Sequence, residues 1–179
     1  TRMVPDSLGA AATSGTGEKV NALLVREYLR QGRALPRQQP ARPYPGGYTQ
    51  LRATGVIGPI VKADVESLYP SIMLTERIAP ASDVLGAFLP MLAELRRRRL
   101  EAKALAQSGP EAERAHWDAV QNSFKVLTNS FYGYLGGPFP FNDFGAAERV
   151  TLRGQELVRR IELLSHERVR LREHGVDLL

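Results

Sequence analysis

Asp64 stands at the end of the strand-like run "PIVKADV" and is followed at once by a turn and a proline. Side chains alternate along a strand, so Ile60, Lys62 and Asp64 share one face, with the carboxylate at its end. The turn exposes the backbone N–H groups of Glu66, Ser67 and Leu68, and Pro70 suits the first turn of a helix. Free amides at a helix start can cradle phosphate oxygens. A carboxylate beside such a cradle repels the phosphate unless a divalent cation lies between them. Mg²⁺ fits, because it takes one or two carboxylates together with substrate phosphates. Asp64 read by itself also suits an ordinary turn former, and the spacing leaves both readings open.

Two later segments carry a second pattern. At 100° per residue, Phe88, Leu92 and Leu95 form an apolar stripe whose continuation is Arg99 and then Lys103, with Arg96 beside them. Cations stand where a core helix would place more leucine, although a solvated helix end has the same composition. In "WDAVQNSFKVLTNSFYGYL", Trp117, Val120, Phe124, Leu127 and Phe131 face one way. Lys125, Asn129 and Tyr132 follow one another at i, i+4 and i+7 on the opposite side, near Gln121. Lysine, amide and phenol in a row suit an anionic ligand with flat bases, or an ordinary polar face. Gly133, expected to be exposed, leaves room for something to approach the backbone.

These residues need elements to hold them. The spacing predicts a helix over Gly17–Gly32, with Val20, Leu23, Leu24 and Tyr28 as its apolar stripe and Gly32 as its C-terminal cap. Residues 1–16 are small and read as flexible. "LPRQQPARPYPGGYTQ" is a Pro/Gly-rich loop, and strand material surrounds "GPIVKADV". A short helix is expected from Pro70. Two longer helices, about Gly86–Gln107 and Glu111–Leu135, are separated by the breaker Ser108-Gly109-Pro110 and so form a hairpin. After the loop "GGPFPFNDFG", a last helix is expected from about Ala146 to Glu173, and Val176–Leu179 reads as the start of a strand.

Composition narrows the chemistry. The 179 residues contain no cysteine, which excludes disulfides and thiolate metal sites, and three scattered histidines (His116, His166, His174) argue against zinc. No apolar run is long enough to span a membrane, and the first residues lack the apolar region of a secretory signal. The net charge of +5 favours a polyanionic partner, nucleic acid above all. All but four of the 24 basic residues are arginine, a bias that a GC-rich genome also produces.

Taken together the motifs are specific. "DVESLYPSIM" resembles motif A of the family B DNA polymerases, and "KVLTNSFYGYLG" resembles their motif B. "YPGGY" is similar to their Tyr-x-Gly-Gly element, and "RLEAK" to the Arg-x-x-x-Lys pattern of their fingers. All four occur in the family's order. The resemblance implies an α+β fold: part of a palm, a β-sheet with packed helices, plus a fingers subdomain made of an antiparallel helical hairpin. It divides the chain into residues 1–84 (palm, Tyr-x-Gly-Gly loop and motif A), 85–137 (fingers, ending in motif B) and 138–179 (a palm helix and the strand leading to a third motif).

The resemblance also implies roles. Asp64 is a catalytic aspartate that binds two Mg²⁺ ions, and the Val65 carbonyl helps hold one of them. The amides of Ser67 and Leu68 contact the triphosphate of a dNTP. Tyr69 lies under the sugar and excludes a 2′-hydroxyl. Arg99, Lys103 and Lys125 bind the triphosphate, and Asn129 lies beside the nucleotide. Tyr132 and Gly133 lie against the nascent base pair, while Tyr44, Gly46 and Gly47 touch the template. Glu66 matches no required position and reads as a turn residue. The implied activity is template-directed DNA synthesis by a two-metal mechanism. The implied partners are primer–template DNA, dNTPs and the rest of a polymerase, on the same polypeptide or another, in a bacterial or archaeal cytoplasm. The third motif, Tyr-x-Asp-Thr-Asp with the second catalytic aspartate, does not occur in these residues. The expectation is a catalytic-core fragment inactive alone; a split polymerase or a nucleic-acid-binding module without catalysis are the alternatives.

Overall fold

The computed structural model describes residues 7–51, 54–56, 58 and 64–173, with the backbone alone at 8, 11 and 165–173. Its elements are six helices: α1 (Leu8–Thr13), α2 (Thr16–Arg30), α3 (Leu68–Thr75), α4 (Phe88–Ser108), α5 (Glu111–Leu135) and α6 (Phe144–Glu173).

The expected α+β fold with a β-sheet is corrected by this architecture. Among the described residues every regular element is a helix. A strand is stabilised by pairing its backbone with another strand. The long non-helical segment after α2 satisfies backbone groups with side chains instead: Gln39 N–H donates to Asn142 Oδ1 (2.7 Å), and Gly46 C=O accepts from Gln155 Nε2 (2.7 Å). Of the runs expected as strands, residues 59–63 and 176–179 lie outside the described residues.

The helices begin and end where the side chains dictate. α1 lies in a stretch expected to be flexible, and Ser7 caps it by accepting from Ala10 N–H at 3.2 Å. α2 opens with Glu18 accepting from the Gly15 N–H. It closes on Gly32 at φ +63°, where Arg33 N–H reaches Tyr28 C=O and Gly32 N–H reaches Leu29 C=O. This pair of bonds satisfies carbonyls the helix leaves open, and glycine takes the left-handed conformation without a Cβ penalty. α3 starts at Leu68, two residues before Pro70. The proline still falls in the first turn, where no helical N–H is lost. Asp83 fixes the start of α4, accepting from the Phe88 N–H and the Tyr28 hydroxyl, both at 2.7 Å.

α5 is the central element. It packs along α4 in the expected hairpin and also touches α2, α3 and α6. The shared core joins Val20, Leu24 and Tyr28 of α2 to Phe88 and Leu92 of α4, Phe131 and Tyr134 of α5, and Val150 of α6. Phe88 and Phe131 meet edge to face with centroids 5.0 Å apart, as do Tyr28 and Phe141 at 4.6 Å. Removing a buried ring of this kind costs about 3–5 kcal/mol in a close-packed interior. The base of the hairpin is therefore the firm end, and the candidate site is built on it. No helix among the described residues is long and apolar enough to cross a membrane.

Candidate functional site

A cleft of about 660 Å³ opens between the turn at residues 64–67 and the facing sides of α4 and α5. The turn and the start of α3 contribute Asp64, Val65, Glu66, Ser67, Leu68 and Tyr69 to its wall. Arg99 and Lys103 come from α4; Gln121, Lys125 and Asn129 come from α5. The motif-A-like run and the two cationic helix faces thus meet in one cavity. The residues expected at metal and triphosphate come from three segments far apart in the chain.

Ser67 makes this arrangement possible. Its backbone is left-handed (φ 54°, ψ 47°), which is uncommon for a residue with a Cβ and costs on the order of 1 kcal/mol or more. Its hydroxyl does not cap α3 but accepts from Arg99 Nη1. Strain at the turn is offset by a bond that ties α3 to α4.

Arg99 continues the buried stripe: Phe88 and Leu92 are fully buried, Leu95 is 8% exposed and Arg99 5%. A guanidinium this dry needs anionic partners. Glu66 supplies one, with Oε1 3.1 Å from Arg99 Nη2 and 2.8 Å from Lys103 Nζ. The hydrogen bond and charge of Lys103, and then the charge of Arg99, hold the Glu66 carboxyl below the usual carboxylate range. Arg99 Nε is buried and finds no hydrogen-bond partner among the described residues. Glu66, read from sequence as a turn residue, is the main anion of the cleft's cationic side. Its pairing crosses more than thirty residues, and no local pattern signals it.

The residues expected at the template form a second group beside the first. Tyr69 and Tyr132 stack at a tilt with centroids 4.3 Å apart, and the Tyr132 hydroxyl is 2.7 Å from Thr151 Oγ1. Burial first, and then a hydrogen bond with Tyr132, push the Tyr44 phenol up to about 12. Burial and the neighbouring Tyr132 also raise the Tyr69 phenol. Gly46 and Gly47 lie on a loop strapped to α6 by Gln155 on Gly46, the Arg42–Glu148 pair (2.9 Å) and Arg159 over the Tyr48 ring (4.9 Å). Gly133 is exposed, and a Cβ there would meet nothing within 4 Å.

α6 carries what the sequence reading missed. Thr151 is fully buried against Tyr132. A Cβ on Gly154 would stand 2.8 Å from Tyr69 Cε1, so glycine is what lets the Tyr69 ring lie against the α6 backbone. A smaller cleft of about 200 Å³, lined by Asp64, Val65, Leu68, Val158 and Ile161, opens on the α6 side. Asp64 is exposed at the junction of the two cavities.

Among the described residues no three His, Cys, Asp or Glu side chains gather into a metal cage. The donors at the cleft are the exposed Asp64 carboxylate and the Val65 backbone. Hard oxygen donors in that number fit Mg²⁺ shared with phosphate oxygens and water rather than an ion held by protein alone.

Comparison with known proteins agrees with the motifs. The sequence model of DNA polymerase family B matches residues 79–175, more than half of the chain. A DNA polymerase of Thermococcus sp. (strain 9oN-7) is 28% identical over 89% of this chain and 24% of its own length. One of Archaeoglobus fulgidus is 32% identical over 81% of this chain and 22% of its own. The chain therefore spans about a quarter of the length of these relatives. The structure of the family B DNA polymerase from Pyrobaculum calidifontis superposes with a TM-score of 0.67 at 22% identity, covering 88% of this chain and 25% of that one. With the family model covering more than half of its residues, the chain is a member of DNA polymerase family B.

Proposed function

We propose that this chain forms the nucleotide-binding part of a DNA-directed DNA polymerase, which transfers a nucleotidyl group from a dNTP to a primer 3′-hydroxyl. One observation carries the reading: a single cleft joins Asp64 and the start of α3 to Arg99, Lys103 and Lys125. Phosphoryl transfer requires positioning and charge neutralisation more than covalent help, and this cleft is equipped for both. The N–H groups of Ser67 and Leu68 and the three cations hold the triphosphate. Asn129 lies alongside the nucleotide, and Tyr69 closes the space beneath its sugar. Tyr44, Gly46, Gly47, Tyr132 and Gly133 form the adjoining surface for template and nascent pair.

Asp64 and the Val65 carbonyl would hold Mg²⁺ beside the phosphates. When bound, the two ions would supply activation of the 3′-hydroxyl and neutralisation of the departing pyrophosphate. Two-metal chemistry uses a second carboxylate, which would come from a third motif, on the same polypeptide or another. In this reading α4 and α5 are the fingers (residues 85–137), α3 belongs to the segment that carries the metal (1–84), and α6 to the segment that leads toward the third motif (138–179).

The test is Lys125→Ala in a polypeptide that joins this chain to the second catalytic aspartate. Losing a charge partner of the transition state slows a reaction by roughly 10²–10³-fold. Single-turnover incorporation should fall by that much, and an unchanged rate rejects the assignment.

A further inference from the structure

The Glu66 carboxylate sits against the two cations to which the proposed function assigns phosphate. A single oxygen, Oε1, serves both Arg99 Nη2 and Lys103 Nζ. The Arg99 side chain is 7% exposed, so its charge needs a counter-anion whether or not a ligand is present. Glu66 can supply it and also withdraw, because its own side chain is 54% exposed and it stands on the turn just after Asp64. The neighbouring Arg97 and Arg98 pair instead with Glu94 and Glu101 on their own helix, so those acids serve the outer face and Glu66 serves the cleft. A polyphosphate reaching Arg99 and Lys103 competes with that oxygen for their charge.

We propose that Glu66 is a built-in competitor of the phosphate chain, which neutralises Arg99 and Lys103 and gives way to a polyphosphate that reaches them. The proposal rests on the assignment of Arg99 and Lys103 to the triphosphate. It makes Glu66 a positioning residue that weakens nucleotide affinity while keeping the two cations in place.

The experiment is a calorimetric titration of the chain with inorganic tripolyphosphate, repeated for Glu66→Gln, Lys103→Gln and the double variant. Both pairs are exposed on their Glu66 side, which keeps each of them weak, so releasing the two should tighten binding by about 3–10-fold in Glu66→Gln. Lys103→Gln should weaken binding, and the gain from Glu66→Gln should shrink in that background, since part of the effect acts through Lys103. A residue that only braced the fold would not tighten binding when replaced. Unchanged or weaker binding by Glu66→Gln overturns the proposal, as does an equal gain in both backgrounds, which would mean charge acting at a distance. If Lys103→Gln weakens binding while Glu66→Gln has no effect, the competitor falls and the phosphate assignment stands. If neither the parent nor Glu66→Gln binds tripolyphosphate, both fall.

Discussion

Four consecutive arginines, Arg96 to Arg99, sit on α4, and the helix sends them to different fates. Arg97 and Arg98 are exposed and bridge to Glu94 and Glu101 at i, i+3 and i, i+4 spacings. Arg99, two steps of 100° from Arg97, is buried and reaches Ser67 and Glu66 across the fold. The outer pairs brace one helix locally, and exposed pairs of that kind contribute little. The inner one joins two segments and faces the cleft. Residue type says nothing about the difference; burial and the sequence distance of the partner say nearly all of it.

On the cleft side the effects should be large and specific. Tyr69→Ala, in a polypeptide with the second catalytic aspartate, removes the ring that leaves no room for a 2′-hydroxyl. The ratio of kcat/KM for deoxy- over ribonucleotide should fall by about 10²-fold, as discrimination built on shape allows. Tyr69→Phe should keep most of it. An unchanged ratio for Tyr69→Ala would make the ring simple packing against α6, and the inner face less specialised than the comparison holds.

Gly154→Ala probes the same ring from behind. The added methyl drives into Tyr69, and overpacking of this kind costs about 1–3 kcal/mol. Urea unfolding should show that loss in the parent and little of it in a Tyr69→Ala background, where the methyl has space. An equal loss in both backgrounds would place the strain in α6 itself.

The smallest effect belongs to the outer face. Hydrogen bonds from Arg97 and then Arg98 lower the Glu94 carboxyl from 4.5 to about 2. A depressed carboxyl stabilises the folded chain above its ordinary pKa and loses that contribution as pH falls through the folded value. The window therefore runs from about 4.5 down to about 2. A carboxyl NMR titration of Glu94 should give a midpoint near the lower end. A midpoint near 4.5 would mean that Arg97 and Arg98 do not hold it in solution.

Much of the helical framework was legible in the sequence because it is written in local chemistry. Gly32 ends α2, Ser108-Gly109-Pro110 splits the hairpin, and the apolar stripes of α2 and, from Val120 to Phe131, of α5 face the core as their spacing predicts, while Trp117 stands outside it. Even the cations of α4 were legible as a continuation of an apolar stripe, though only the fold shows Arg99 buried. What escaped is long-range. Glu66 looks like any turn acid until Arg99 and Lys103 arrive from α4. Asn142 looks like a loop residue until both its amide groups bond the backbone of Gln39, 103 positions away. Gly154 looks like a weak point in α6 until Tyr69 lies across it. The β-sheet expectation was corrected for a related reason: strand propensity names no partner, and among the described residues every regular element is a helix.

The most direct measurement compares Arg99→Ala with Arg97→Ala in single-turnover primer extension, in a polypeptide that carries this chain and the second catalytic aspartate. If the cleft face of α4 binds the triphosphate, Arg99→Ala slows incorporation by roughly 10²–10³-fold. Arg97→Ala, which loses only exposed pairs, should stay within about twofold of the parent. Equal rates for the two variants would contradict the account, because they would mean that the buried cation does no more for the reaction than its exposed neighbour.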